Sequence, residues 1–366
     1  MLNIAIHVIK RVVPSAGIIQ LQKQYHQVIK FRNSLNEVML SFLATAPIFS
    51  SFYYALISSA FRRETYGVIY GKLKYYENLN SSLGSSYLLR RNIHRLEKGL
   101  IMKPRRDIFA LDYIEETLES YKYSLENKDK TGNEKAELQW AHDVLKEYFR
   151  VVGDHPRINQ SRLTFLSLHY DDGDKNYVPY KRDLTIPPSV TYDQFLELCY
   201  RRRSVRWYEQ KPVPRELIDK AIRAAALSPS ACNRQPFEFR VFDEAELVQK
   251  VASIPMGTKG FNDNFPAIIA VVGKLSAYFS ERDRHVIYID GALASMSLMY
   301  ALETLGLSSC SINWPDIEHL ERKIALLLNL QPDERVIMLI SLGYPDSDGM
   351  VPFSQKKSLS EIRRYN

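Results

Sequence analysis

From residue 191 to the C-terminus, helical segments alternate with short apolar runs, and this alternation limits the possible folds more than any other feature. The run AIIAVVG that opens 267–274 carries no charge, as expected of a strand covered on both faces of a sheet. Periodicity predicts helices at 191–201, 214–227, 286–305 and 316–328, and strands at 237–242, 267–274, 307–313 and 335–343. The predicted fold class is α+β, with helices flanking a sheet. The helix at 286–305 has only two charges, which predicts burial on nearly all sides.

The first half of the chain shows helical periodicity only. In 86–100, apolar residues recur at helical spacing, which predicts a helix. Two further predicted helices, 108–127 and 133–151, would form an antiparallel helical hairpin. Periodicity is lost over 152–190. The predicted domains are therefore a helical, basic domain at 1–151, a linker at 152–190 and an α+β domain at 191–366.

Charge is distributed unevenly. Residues 1–106 hold 16 Lys and Arg against 4 Asp and Glu, whereas the whole chain has a net charge of +7. Such asymmetry indicates an anionic partner, and an anionic membrane surface contacting 1–106 fits better than nucleic acid, for which no motif is present. The cations Arg90, Arg91, Arg95 and Lys98 on one predicted helix form either a solvated face or a docking surface. The predicted location is cytoplasmic, either free or peripheral at the inner face of the membrane.

The stretch 38–61 has 24 residues without a charge. It is long enough to span a bilayer, but Pro47 and five serines weaken that interpretation. Three alternatives stay open: a buried pair of soluble helices, an interfacial membrane helix and a membrane span.

Four segments of the second half carry the candidate chemistry. Arg201 to Arg206 has four arginines in six residues, and arginine presents a planar fork that matches phosphate. The segment 228–236, SPSACNRQP, joins a predicted helix to a strand and offers small residues and amides near a ligand. Gly306 to Asn313 leads from a helix into a strand, and Gly343-Tyr344-Pro345 precedes Lys356 and Lys357. Each segment alone also has an ordinary structural interpretation as a turn or a helix end.

The order of these segments resembles the FMN-dependent nitroreductase family over about 191–366. Arg202-Arg203-Ser204-Val205-Arg206 fits the family's Arg-(Arg/His)-Ser-x-(Arg/Lys) motif, and 228–236 fits its Ser-Pro-Ser-x-x-Asn-x-Gln-Pro loop. The resemblance implies a mainly antiparallel sheet flanked by helices, and an intertwined homodimer with two FMN sites at its interface. The helical region at 1–190 has no counterpart in compact family members.

The resemblance also implies a role for each matching residue. Arg202, Arg203 and Ser204 would hold the FMN phosphate and ribityl chain, joined by Lys356 or Lys357. Arg206 would lie against flavin N1 and O2, and Asn233 would hydrogen-bond the ring. The remaining residues implied to contact FMN are Pro229 and Ser230, from the same or the partner subunit, Gln235, Ser311 and Ile312.

A flavin carries out the chemistry itself, so no protein nucleophile is expected, and the histidines show no metal spacing. The predicted function is NAD(P)H-driven reduction of an electron-poor small molecule, with NAD(P)H as a transient donor. One alternative is an FMN-dependent dehydrogenase or oxidase acting on a biosynthetic, lipid-linked or phosphorylated intermediate. Another is a non-catalytic flavin-binding or membrane-associated scaffold, since Trp314 could narrow the substrate slot.

Overall fold

The computed structural model describes residues 15–80, 86–127, 135–170 and 176–366. The chain divides into two compact units, 1–64 and 65–366. The basic residues among the first 14 positions lie outside the described ranges.

The described part of the first unit is helical and leaves many of its apolar side chains exposed. Helix α1 (Ser15–Leu43) is followed by α2 (Pro47–Phe52), which continues as a π-helical turn, Tyr53–Ile57. Pro47 lies in the first turn of α2, where its missing N–H costs no helical hydrogen bond. None of the residues from 47 to 57 is buried. The interpretation of 38–61 as a buried helix pair is therefore wrong, because the described part of this unit offers these side chains no core.

The same stretch is also broken too early to be one membrane-spanning helix. The 11 residues from Pro47 to Ile57 rise about 16 Å, against a bilayer core of about 30 Å. By length and hydropathy, one described stretch could cross a membrane, Glu281–Thr304. Its helical part has a face buried under the sheet, as in the core helix of a soluble domain.

The helical half of the second unit has a core of its own. Its helices are α3 (Arg62–Asn80, which begins in the first unit), α4 (Ser86–Leu100), α5 (Ile114–Glu126), α6 (Lys135–Val151) and α7 (Pro156–Ser167). Leu89, Ile93 and Leu96 recur at spacings of three and four on α4 and are fully buried. Each such side chain contributes about 1.5–3 kcal/mol of hydrophobic free energy. α4 is therefore firmly fixed in its position.

Helix α7 lies inside the stretch predicted to be a linker. Its Ile158 and Phe165 are buried in the same core as α4, with Pro156 in the first turn. Three buried positions in 12 residues give a weaker periodic signal than α4 has, so the sequence analysis missed this helix. No regular element is assigned in the described residues 176–191.

The α+β half contains the predicted sheet. Its helices are α8 (Tyr192–Arg201), α9 (Arg215–Ala225), α10 (Ala245–Ala252), α11 (Val286–Thr304), α12 (Glu318–Leu327) and α13 (Leu359–Ile362). Its strands are β1 (Phe237–Phe242), β2 (Ala267–Lys274), β3 (Ser308–Asn313) and β4 (Glu334–Gly343). All neighbours in the order β1-β2-β4-β3 pair antiparallel. The helix-flanked antiparallel sheet is thus confirmed, whereas α10 and the short α13 were not predicted from the sequence.

Helix α3 packs closely against the loop that follows β2. A Cβ added to Gly71 would lie 2.9 Å from the carbonyl carbon and the Cβ of Leu275. Lys72 adds an ion pair with Glu281 at 2.7 Å, and Lys74 lies 3.5 Å from Asp333. Glycine is required at this contact because a larger residue would push α3 off the α+β half.

Candidate functional site

The arginine segment 202–206 runs along the edge strand of the sheet. It leaves α8 at Arg202, and Ser204 forms a parallel bridge with Ser309 on β3. The Val205 N–H donates to the Ser309 carbonyl at 3.1 Å. The buried Tyr208 hydroxyl donates to the Val205 carbonyl at 2.7 Å, which ties the segment to the core. The backbone that carries the three motif arginines is therefore fixed from both sides.

The side chains of this segment and of the neighbouring strand β3 include donors with no partner in the protein. Among the described residues, Arg202 Nε and Ser309 Oγ are buried and make no hydrogen bond. Arg206 lies 5.6 Å from the Phe261 ring and donates from Nη1 to the Ser204 carbonyl at 3.3 Å. Unpaired buried donors beside several guanidinium groups fit an anionic ligand that accepts hydrogen bonds, such as a phosphate.

The C-terminal arm, residues 352–366, begins beside the arginine segment. Arg203 donates to the carbonyls of Pro352 and Phe353. Lys356 and Lys357 follow a few residues later, and both are exposed. The structure thus places both lysines in a solvent-exposed arm whose start is held at the arginine segment.

Strand β3 separates its two predicted contact residues. Ser311 is exposed, whereas the side chain of Ile312 is buried in the core, as the two-residue period of a strand requires. Ile312 can therefore meet a ligand only through its backbone. Trp314 is also buried, and its indole N–H donates to Glu321. The structure thus does not support a substrate slot narrowed by this ring.

The loop 228–236 has an unusual backbone. Cys232, Asn233 and Gln235 all have positive φ, at 53°, 51° and 50°. Such conformations cost non-glycine residues about 1–3 kcal/mol each and persist only where the surroundings enforce them. They also cluster at ligand sites, so this strain is consistent with a functional loop.

Helix α11 holds this loop from one side. Asp290 accepts a hydrogen bond from the Ala231 N–H at 3.0 Å, and the Ser228 hydroxyl bonds that of Ser297 at 2.8 Å. Burial raises the pKa of the Asp290 carboxyl above its ordinary value. Within the loop, the Gln235 N–H donates to Ser230 Oγ at 3.1 Å.

Helix α4 holds the loop from the other side, which the sequence did not indicate. Arg90 donates from Nε to the Asn233 carbonyl at 2.8 Å and from Nη2 to Gln235 Oε1 at 3.0 Å. Gln235 also donates to the Ala226 carbonyl at 2.7 Å. Both polar ends of the Gln235 side chain are therefore engaged within the protein, which makes it a support of the loop. Arg90 is likewise an internal contact rather than part of a free basic face.

The two groups of predicted cofactor residues contact different positions of α11 within one chain. Arg201, which directly precedes the arginine segment, pairs with Glu303 near the end of α11 at 3.0 Å. The loop is anchored to Asp290 near the beginning of the same helix and to Ser297 further along it. Asp290 and Ser297 come 13 and six residues before Glu303, which is about 20 and 9 Å along a helix axis. One chain thus presents two half-sites at different places on α11.

Metal binding has no candidate among the described residues. Residues 15–80, 86–127, 135–170 and 176–366 contain no group of three or more His, Cys, Asp or Glu side chains placed to hold an ion.

Comparison with known proteins identifies the α+β half. Residues 200–258 and 248–344 match the nitroreductase family. This part of the chain belongs to the nitroreductase family. The match includes the arginine segment, the strained loop, α11 and all four strands. The family and its relatives support an oxidoreductase-type enzyme.

Three proteins to which this chain is similar have two different kinds of activity in their names. The chain is 26% identical to iodotyrosine deiodinase 1 of Pongo abelii over 197 residues, 46% of this chain and 67% of that protein. It is 25% identical to iodotyrosine deiodinase of Nematostella vectensis over 219 residues, 51% and 82% of the two chains. The structure of an FMN-dependent nitroreductase from Clostridium difficile R20291 is 24% identical, with a TM-score of 0.41, covering 47% of this chain and 99% of that one.

Proposed function

We propose that this nitroreductase-family protein is an FMN-dependent oxidoreductase that passes electrons from NAD(P)H to an electron-poor small molecule. One observation carries the proposal: the family motif at 202–206 is fixed along β3 beside buried donors that have no protein partner. Such donors fit the phosphate of FMN and its neighbouring ribityl hydroxyls.

The chain's own residues would divide the work of holding and tuning the cofactor. Arg202, Arg203 and Ser204 would hold the phosphate end, with Lys356 or Lys357 from the arm. FMN, when bound, would accept a hydride from NAD(P)H and release electrons to the substrate. Arg206 would place a fixed positive charge where the isoalloxazine gains negative charge. That interaction is stronger in the electron-rich state than in the oxidised state, so Arg206 would favour reduction.

A second copy of the chain would complete the site. Helix α11 was expected to be buried on nearly all sides, yet Ile289 is 57% and Leu293 is 44% exposed in the single chain. With Ala292, also exposed, they form an uncovered apolar stripe at the turn of α11 that contains Asp290. A homodimer that covers this stripe would bring the loop of one copy to the arginine segment of the other.

The first unit would attach the enzyme to a membrane from the cytoplasm. Exposed apolar side chains at Phe42, Ile48, Phe52 and Leu56 accompany the basic character of the N-terminal part. Interfacial helices combine these two properties. We expect the full chain to float with vesicles containing phosphatidylserine and not with pure phosphatidylcholine vesicles. Equal recovery with both, or with neither, would contradict this attachment.

The function is tested by anaerobic reduction of the purified protein after incubation with FMN. We expect the flavin absorption near 450 nm to be retained through desalting and to bleach when NADH or NADPH is added, by the usual hydride transfer to a flavin. Nitroaromatic, quinone and halogenated phenol acceptors are then compared for restoring the absorption. Halogenated phenols enter this panel because two relatives are named iodotyrosine deiodinase. A protein that retains no FMN, or whose FMN neither nicotinamide bleaches, would contradict the proposal.

A further inference from the structure

The contact between Arg90 and the loop joins the N-terminal helices to the nitroreductase domain. Arg90 and the loop residues it binds are 143 and 145 positions apart in the chain. The same guanidinium uses its third nitrogen, Nη1, for an ion pair with Glu137 at 3.0 Å. All three nitrogens of the Arg90 side chain are thus engaged, one with α6 and two with the loop.

The surroundings fix Arg90 in this position. Its side chain is 16% exposed and that of Glu137 is 14% exposed. The guanidinium lies 5.4 Å from the Trp140 ring, and Glu137 also accepts from the Ser86 hydroxyl at 2.8 Å. Partly buried ion pairs with additional hydrogen bonds are less screened than surface pairs. The position of the Arg90 guanidinium is therefore set by the helical core and not by the loop.

The loop needs an external partner at this point. Asn233 has a positive φ, and its carbonyl would lose a charged donor if Arg90 were absent. Asp290 holds the other end of the loop at Ala231, two residues earlier. The strained turn is thus clamped between a carboxylate on α11 and a guanidinium on α4. Asn233, which would meet the flavin ring, lies on the α4 side of this clamp.

We propose that Arg90 is a positioning residue that holds the cofactor loop in its binding conformation, so that the N-terminal helices become part of the flavin site. The consequence for FMN rests on the proposed function, whereas the consequence for the loop does not. Removing the Arg90 guanidinium would leave the strained backbone of the loop free to relax. FMN binding would then have to restore the strained conformation. The apparent Kd for FMN would then equal the intrinsic Kd divided by the fraction of time that the loop is competent.

The test compares Arg90→Lys and Arg90→Met with the control Arg95→Lys. Arg95 is on the same helix but lies over Tyr113 and pairs with Asp112, at 3.5 and 3.3 Å. Lysine at position 90 keeps the charge beside Glu137 and cannot reproduce the planar fork. We expect the Kd for FMN to rise about tenfold in Arg90→Met and about threefold in Arg90→Lys, and to stay within about twofold in the control, since hydrogen bonds from a charged group are lost.

A second readout, hydrogen exchange of the peptide 229–236 without FMN, separates this inference from the proposed function. We expect the peptide to exchange faster than in the wild-type protein in both Arg90 variants and at the wild-type rate in Arg95→Lys. The thermal unfolding temperature of Arg90→Lys should stay at the wild-type value. Unchanged exchange in the Arg90 variants would overturn the clamp, whatever the protein does with FMN. Faster exchange with unchanged FMN affinity would overturn the positioning role. If the wild-type protein binds no FMN, the proposed function fails, and the exchange comparison still decides whether Arg90 holds the loop.

Discussion

Replacing Leu293 by arginine is expected to yield monomers that retain little FMN. Leu293 lies with Ile289 on the exposed apolar stripe of α11, at the turn that contains Asp290. In a homodimer this position would be covered, and an unpaired charge buried there would cost far more than the lost apolar contact. Size-exclusion chromatography with light scattering would measure the mass, and absorption after desalting would measure retained FMN.

Leu326→Arg is the matched control for this experiment. Leu326 is 84% exposed on α12, away from the stripe, so the same substitution there should leave both mass and FMN content unchanged. A Leu293→Arg protein that remains a dimer and retains FMN would show that α11 does not form the interface. A wild-type chain that is already monomeric and retains FMN would contradict the two half-sites themselves.

Replacing Arg206 by alanine is expected to lower the rate of flavin reduction by NAD(P)H about 100-fold, which is about 2.7 kcal/mol in activation free energy. In the proposed site, the substitution removes a fixed charge at the point where the flavin would gain negative charge. Phe261 and the Ser204 carbonyl hold this guanidinium in place, so the wild-type protein spends little energy reorganising it. Anaerobic stopped-flow absorption would measure the rate, and a spectroelectrochemical titration is expected to give a lower flavin potential in the variant.

Arg201→Ala provides the comparison within the same run of arginines. Arg201 is 68% exposed and pairs with Glu303, and the resemblance to the family assigns it no contact with FMN. Its removal should change the rate by less than about threefold, as expected for an exposed ion pair. If both alanine variants slowed reduction equally, the effect would come from general positive charge and not from Arg206.

The sequence predicts the α+β half well because its signals are local. The apolar run at 267–274 becomes a fully buried strand, and the motif segments at 202–206 and 228–236 become a pinned strand extension and a strained loop. Helix periods, strand runs and proline or glycine positions depend on neighbours within a few residues. These local signals can therefore be interpreted without knowing how the rest of the chain folds.

The features that sequence analysis missed depend on distant contacts. Arg90 looks like part of a basic helix face, and only the folded chain brings it to Asn233. The inward direction of Ile312 follows from the register of β3 with β4, which the sequence of β3 does not fix. The exposure of Leu293 depends on whether a second copy covers α11, and an apolar pattern gives the same prediction for a core and an interface.

In the proposed dimer, one copy supplies 202–206 and the other supplies the loop at 228–236 to each FMN site. This arrangement is tested most directly by a heterodimer of an Arg206→Ala chain and an Asn233→Asp chain, purified through two different tags. Aspartate also tolerates positive φ, so this variant removes the amide donor with little change in backbone preference. Both homodimers should be nearly inactive. If the sites are shared, the heterodimer has one site built entirely from unaltered residues, and we predict about half of the wild-type NAD(P)H-dependent activity. A heterodimer no more active than the two homodimers would contradict the shared site.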